Sequence, residues 1–422
     1  MRSKQVLVSI CADGFPYLHS GQGRFMATLI KHQPDQFEGF GPSILAKVAR
    51  QTTSGQSIPD ERMDARAMLH DHCPLTPGVY GWLDRNNQLC YVGKSKSLRK
   101  RLLSYFAKTP SDPKMGRIVR HSHRIVWEPV SHELLALIRE QELIYRWRPD
   151  FNKQGQPTRR QPAYVGIGGG GASKAIFARR VTAKLDFVLG PIAGTSRLRD
   201  AVNCLNQVFH LRDCPDRTRF HYNDQSQLFG DTDSAKCIRY ELGTCPGPCA
   251  GLCSKRDYQD NVDALTRFLN LEDVGVIDQL SNQMKTAGAN QHYERATILR
   301  DQLKQLSWLV LRLKALANAS EKLNGVLPMD SFGRRKLWLI LRGGRLVGTA
   351  AEPLSAKRAV LALEKLTSIA TQTDTPATNL MEMNFQLMIM SAFRKDAQMR
   401  KRLLPFDQAF EMCQSLVTKQ LA

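Results

Sequence analysis

Five of the ten cysteines, Cys214, Cys237, Cys245, Cys249 and Cys253, fall inside forty residues, and no other feature of the chain restricts its fold as strongly. The stretch from Cys214 to Cys249 holds little apolar material, so a bound centre rather than a hydrophobic core is expected to order it. Gly243, Pro246, Gly247 and Pro248 between the thiols suit a tight loop around such a centre. No Lys/Arg-rich start leads into an apolar segment, and no apolar run of about 18 residues is present. A reducing compartment is therefore expected, where close-set thiols act as metal ligands rather than as disulfides. Spacing leaves iron–sulfur and zinc equally open, with reduced free thiols as the plain alternative. Cys11, Cys73, Cys90, Cys204 and Cys413 read as ordinary apolar or surface thiols.

The 422 residues predict roughly three folded units. Hydrophobic residues at 42% and charged residues at 23% exclude a mostly disordered chain or a fibre. Sixty Lys plus Arg against 39 Asp plus Glu leave a net charge of +21. An excess of that size suits a polyanion, nucleic acid first, and with no membrane segment the expected place is the cytoplasm.

Residues 1–73 mix short apolar pieces (QVLVSI, FMATLI, SILAKVA) with polar stretches and form an N-terminal extension of open role. Over 74–153, PGVYGWLD and QLCYVGKS read as strands split by Arg85-Asn86-Asn87, followed by a helix (SLRKRLLSYF), a strand (RIVWEPV) and a helix (HELLALIREQELIYRW). Residues 154–254 hold a basic linker (Thr158, Arg159, Arg160), a strand pair around Gly168 to Gly171, the helical RDAVNCLNQVF and the cysteines. GIGGGGAS lacks phosphate-loop spacing and reads as a hairpin loop. Residues 255–320 read as helical throughout, with an antiparallel hairpin formed across Gly288-Ala289-Asn290. Its second arm shows heptad spacing at Ala296, Leu299, Leu303, Leu306, Val310, Leu313 and Ala317. In 321–422, KLWLILRGGRLVGTA reads as a β-hairpin turning at Gly343-Gly344, with helices after it. The class is α+β, multidomain.

Glu140 has helical neighbours Ala136, Leu137, Leu143 and Ile144, so its carboxylate points to the packing side and needs a cation, either a metal or an arginine. Glu142, beside Arg139 and Arg146, is expected to be solvated. Taken singly, Tyr80 and Tyr91 would fill a sheet face, and Lys94 and Arg101 would contact phosphate.

Gly78-Val79-Tyr80 and Tyr91-Val92-Gly93 on consecutive strands, with a basic helix after them, resemble the GIY-YIG nuclease module, with Val for Ile in both blocks. The stretch PGVYGWLDRNNQLCYVGKSKSLRKRLLSYF resembles the UvrC excinuclease branch of that superfamily. The likeness continues through LDFVLGP, NQVFHLRDC, CIRYELGTCPGPC and the helical hairpin, over roughly residues 74 to 350.

This resemblance implies a small GIY-YIG α/β nuclease domain, a cysteine-rich metal domain, a UVR-type hairpin and a short α/β tail. It implies Tyr91 as general base, Tyr80 and Tyr105 lining the pocket, Lys94 beside them, Arg101 on the scissile phosphate, Glu140 holding Mg2+ or Mn2+, and Asn152 closing the site. It implies a four-iron four-sulfur cluster on Cys214, Cys237, Cys245 and Cys249, with Zn2+ as the alternative and Cys253 as an added thiol. Tyr293, Ala296, Leu299 and Leu303 would contact UvrB, the excinuclease partner, unless the seam is spent inside the chain. The implied function is incision of damaged double-stranded DNA 3′ to a lesion in nucleotide excision repair, within the SOS response. A non-cutting adaptor and a zinc-dependent nucleic-acid-binding protein are the alternatives. The paired carboxylates of a ribonuclease-H-like nuclease and the loops of helix-hairpin-helix modules are not found after residue 350, so a truncated form is expected.

Overall fold

The computed structural model describes residues 36–45, 53–107, 112–153, 161–224, 237–330, 336–370, 376–377 and 379–421. QVLVSI, FMATLI, all but the first three residues of SILAKVA, and the linker Thr158 to Arg160 lie outside them. The described residues fall into two compact units. One draws on Thr158–Ala319 and Asp374–Leu380, the other on Gly14–Pro157, Ser320–Thr373 and Met381–Ala422.

In the second of these, β1 (Ser54–Ser57) and α1 (Arg62–His72) precede the motif strands β2 (Gly78–Leu83) and β3 (Leu89–Ser95). Helices α2 (Leu98–Tyr105) and α3 (Pro113–His121) follow, then β4 (Arg124–Pro129), α4 (Glu133–Trp147) and the short α5 (Asp150–Lys153). The strands form one antiparallel sheet in the order β1-β4-β2-β3, which leaves β3 at an edge. Tyr80, Trp82, Ile125 and Trp127 on one face join Ala65, Leu69, Leu98, Leu102, Met115 and Ile118 of α1, α2 and α3 in a core. Helix α4 packs on β2 and β3. Its start is capped by His132, whose ring nitrogen accepts from the Leu134 N–H, and it stops where Arg148 turns left-handed before Pro149. The helix α3 was not foreseen from the sequence.

The N-terminal residues 36–45 lie along this domain as a strap. Phe37 exchanges hydrogen bonds with Asn87 in the β2–β3 turn. Further along, a buried ion cluster holds the strap: Arg139 bridges Glu128 and Glu142 at 3.0 Å each and donates to the carbonyls of Gly41 and Pro42. Glu142 accepts from the Ser43 hydroxyl and the Ile44 N–H. Glu142 is therefore 3% exposed, and the expectation of a solvated side chain is corrected. Its charged helical neighbour Arg139 is itself buried, and the strap covers both, which no helical periodicity reports.

The other unit opens with a three-stranded antiparallel sheet, order β6-β5-β7, made of β5 (Ala163–Gly168), β6 (Lys174–Ala178) and β7 (Leu185–Ile192). Its Gly-rich turn is a hairpin loop, with Gly169 and Gly170 at positive φ. Helix α6 (Thr195–Val208) leads to the cysteine loop, which contains the four-residue α7 (Ile238–Glu241). Three helices follow, with the expected break after Ala289 and a further one after Leu269: α8 (Lys255–Leu269), α9 (Val276–Ala289) and α10 (Tyr293–Lys322). Leu271 and Gln291, both at positive φ, mark the breaks between them. Leu299, Leu306, Val310 and Leu313 are buried in this unit's core beside Leu280 and Ala287 of α9. The heptad spacing fails at its end, where Ala317 is exposed and Ala319 buried. A straight helix of 3.6 residues per turn drifts off a 3.5-residue repeat, which accounts for the slip.

The C-terminal part belongs to the unit that holds the motif strands. Its sheet, order β10-β9-β8, joins β8 (Gly325–Met329), β9 (Leu337–Arg342) and β10 (Arg345–Ala351). The expected hairpin turns at Gly343-Gly344, both at positive φ, and β8 adds an unforeseen third strand. Helices α11 (Ala356–Ala370), α12 (Leu380–Lys395), α13 (Ala397–Arg402) and α14 (Phe406–Leu421) complete it. The Thr349 hydroxyl of β10 donates to the carbonyl of Ile44 in the strap at 2.9 Å.

Candidate active site

The register of β2 against β3 sets the site. Tyr80 lies opposite Gly93 and Trp82 opposite Tyr91, so Tyr80 and Tyr91 are diagonal neighbours on one face. Their ring centroids are 6.2 Å apart. A Cβ at position 93 would lie 2.5 Å from the Tyr80 hydroxyl, and one at position 78 would lie 2.5 Å from the Glu128 carbonyl. Those two collisions are the physical reason for glycine in each motif block.

The Tyr80 hydroxyl, on a side chain 1% exposed, is 3.0 Å from that of Tyr105 and accepts from Arg101 Nε at 3.1 Å. The Arg101 guanidinium also lies over the Tyr105 ring, 5.4 Å from its centroid. The two terminal nitrogens of Arg101 make no hydrogen bond or ion pair among the described residues. Helix α2 carries Arg101 and Tyr105 one turn apart, which brings both to Tyr80. Burial raises the Tyr91 and Tyr105 phenols well above the usual range. Tyr80 adds to both shifts, and Arg101 partly opposes them. For Arg101 itself burial acts downward, and the phenols of Tyr80, Tyr105 and Tyr91 more than offset it.

The second half of the site comes from the exposed edge of β3. An edge strand turns alternate backbone groups outward, and here Val92 and Lys94 do so. Asn152 donates to the Val92 carbonyl at 2.9 Å and accepts from its N–H at 2.8 Å. Asn152 thus braces the strand next to Tyr91 rather than facing outward from it. Burial pushes the carboxyl of Glu140, on α4, up to about 7, against the pull of the Lys94 ammonium and backbone N–H and of Arg101. Glu140 also lies within electrostatic reach of Tyr91. Lys94 Nζ is 3.3 Å from Glu133, which also takes Lys96 at 2.9 Å. Burial acts upward on Glu133, yet Lys96 and Lys94 together hold it below the usual carboxylate range.

A desolvated carboxylate that makes no ion pair among the described residues fits a divalent cation held by one protein ligand and water, the usual habit of Mg2+. Two participants escaped the sequence reading. Glu133 had no distinguishing signal. Lys114 did have one, since Asp112-Pro113 ahead of it is a helix-start signature. Its ammonium sits over the Tyr91 ring, 5.1 Å from the centroid.

In the cysteine loop, Cys245 and Cys253 are buried and Cys214, Cys237 and Cys249 half-buried. Burial pushes the Cys249 thiol up, with Cys237 and Cys214 near enough to add to the shift. Cys245 is pushed up to about 11 by burial, with Cys214, Cys249 and Cys237 near enough to add to the shift. Cys253 is likewise pushed up to about 11, by burial first and then by Cys245. Among the described residues no three His, Cys, Asp or Glu side chains are gathered as a site for a metal ion. Arg212, 1% exposed, clamps Cys214 by donating to its carbonyl at 2.9 Å and to the Gly169 carbonyl at 2.7 Å.

In the helical hairpin, Tyr293 is 68% exposed, Ala296 and Leu303 are half-buried, and Leu299 is 7% exposed within the unit's own core. Ile298, which the sequence reading passed over, is 59% exposed.

The UvrC-like GIY-YIG domain family matches residues 76–153, the UvrC/Cho excinuclease middle domain 168–268, and the UvrB/UvrC motif 275–307. UvrABC system protein C of Ectopseudomonas mendocina is 31% identical over 278 residues, 66% of this chain and 44% of that protein. Its counterpart in Pseudomonas fluorescens is 30% identical over 290 residues, 68% of this chain and 46% of that protein. This chain therefore spans less than half the length of these curated relatives. The magnesium-bound GIY-YIG N-terminal endonuclease domain of UvrC from Thermotoga maritima is 32% identical over 20% of this chain and 96% of that one, with a TM-score of 0.19. No helix among the described residues is long and apolar enough to cross a membrane.

Proposed function

We propose that this chain, which carries three consecutive domains of the UvrC excinuclease family, is a divalent-metal-dependent DNA endonuclease of nucleotide excision repair. The observation that carries the reading is the meeting of Tyr80, Tyr91, Tyr105, Arg101 and Glu140 at the edge of β3. Phosphodiester hydrolysis needs an oriented water, a proton acceptor for it, and positive charge against the developing phosphorane. Arg101 has two terminal nitrogens available for the scissile phosphate, with its Nε anchored on Tyr80. Tyr91 orients the water and, as the phenolate, takes its proton. A free phenol is only about 0.1% ionised at pH 7, so this step depends on the cationic surroundings that Arg101 begins to supply. Glu140 would hold a divalent cation, which would supply Lewis-acid stabilisation of the negative charge. Tyr80 and Tyr105 fix Arg101, and Asn152 fixes the strand that carries Tyr91.

The finer reading follows the resemblance of the sequence to the UvrC family: incision on the 3′ side of a lesion in duplex DNA, acting with UvrB through the hairpin, which carries the UvrB/UvrC motif. The test is a nicking assay on lesion-bearing duplex with Mg2+ or Mn2+. Glu140→Gln is expected to lower nicking by at least about 100-fold, the scale of a lost catalytic electrostatic contact, with DNA binding retained. Binding without nicking in the wild type would make the chain an adaptor.

The cysteine loop is read as a structural centre on Cys214, Cys237, Cys245 and Cys249, iron–sulfur ahead of zinc. Support comes from the nearness of Cys245 to Cys214, Cys237 and Cys249 and from the Gly/Pro loop that carries them. Anaerobic purification is expected to give brown protein containing iron. Colourless protein with one zinc per chain would reverse that order.

A further inference from the structure

We infer that Lys114 is a substrate-contacting residue, one that binds a backbone phosphate flanking the scissile one on the strand being cut; this rests on the nuclease reading. Lys114 stands in the first turn of α3, where Asp112 caps the helix by accepting from the Lys114 N–H at 2.7 Å. Pro113 at the start of the helix fixes the backbone there, so the side chain leaves it in a set direction.

The case comes from comparing the cations around the site. Lys94 and Lys96 share Glu133, and Arg101 spends its Nε on Tyr80. Lys114 is set apart from all three because its side chain makes no hydrogen bond or ion pair among the described residues. Its ammonium faces the Tyr91 ring, and among the described residues no carboxylate lies within ion-pair distance of it.

An ammonium has three donors, and a ring face satisfies them poorly. A phosphate oxygen satisfies them through charge-assisted hydrogen bonds. Tyr91 is also the residue that orients the water attacking phosphorus, so an anion drawn to Lys114 lies beside the reacting bond. Arg101 comes from a different helix, α2, and keeps two nitrogens for the scissile phosphate itself. Two helices would thus present one cation each to successive phosphates of a single strand.

A phosphate contact and a prop for the Tyr91 ring make different predictions. The test uses the full chain in a Glu140→Gln background, which blocks cutting, and follows binding to labelled duplex by fluorescence anisotropy from low to moderate salt. Lys114→Met keeps the apolar stem and removes the charge. It is expected to weaken binding severalfold on every sequence and to flatten the slope of log affinity against log salt by about 0.9, the value for one lost phosphate contact. Lys114→Arg is expected to restore both. In the cutting-competent chain, Lys114→Met should raise KM severalfold and change kcat little. An unchanged salt slope with a fall in kcat would overturn the inference and leave Lys114 as a support for Tyr91. The two readings fail separately: wild-type chain without metal-dependent nicking removes the nuclease, whereas wild-type nicking with a Lys114→Met slope equal to that of Lys114 removes only the contact.

Discussion

Glu140 sits where burial works against its own charge, and that tension is measurable. Its carboxyl is pushed up to about 7 from an ordinary value of 4.5, so the folded chain binds a proton there that the unfolded chain has already released. Between about pH 4.5 and 7 the folded state holds the extra proton, so the metal-free protein loses stability as pH rises through that window. Glu140→Gln should match the wild type near pH 4.5 and be more stable at pH 8 by on the order of 1–3 kcal/mol. Added Mg2+ should narrow the gap by stabilising the wild type alone. Chemical unfolding at the two pH values reads this directly, and parallel stability profiles would rule out a desolvated carboxylate. The position of Glu140 was legible because apolar residues three and four away define a helix face. Glu142 was misread by the same rule. Its charged neighbours suggested solvent, whereas burial came from residues 36–45, almost a hundred positions away in sequence.

Elements with their own local signals were readable: the two motif strands, the basic helix after them, and the Gly343-Gly344 hairpin. Helix α3 was missed although Asp112 and Pro113 announce its start, since its nine residues are too few for periodicity to stand out. In the site, motif spacing revealed the tyrosines, but the Lys94–Glu133 pair depends on how a strand end meets a helix start, which no spacing records. The hairpin helix α10 shows a further limit. Its apolar spacing was visible, yet spacing does not say which residues the fold keeps for itself. Leu299 is spent on the internal core, so docking through the hairpin falls first to Tyr293 and Ile298. Tyr293→Asp with Ile298→Asp is expected to weaken UvrB binding at least tenfold without lowering thermal stability, as measured by calorimetry on both. Leu299→Asp should instead destabilise the fold, since it buries an unpaired charge. Full affinity in the double variant would return the hairpin to a purely internal role.

For the whole molecule, composition pointed to a polyanion partner and to several folded units, but not to how distant segments complete one of them. The strap, the buried Arg139 cluster and β10 belong to the same unit as the motif strands. Arg139→Met leaves Glu128 and Glu142 buried with no cation between them, and is expected to cost about 3–5 kcal/mol of that unit's stability. Urea unfolding would show it, and a loss below about 1 kcal/mol would mean that water reaches the cluster. The hydrogen bond from Thr349 to Ile44 joins residues 305 positions apart. At a synthesis rate of about 5–20 residues per second, the nascent strap waits on the order of 15 to 60 s for that partner to be made. Through that interval the early part of the polypeptide is held by Asn87, Arg139 and Glu142 without its last partner.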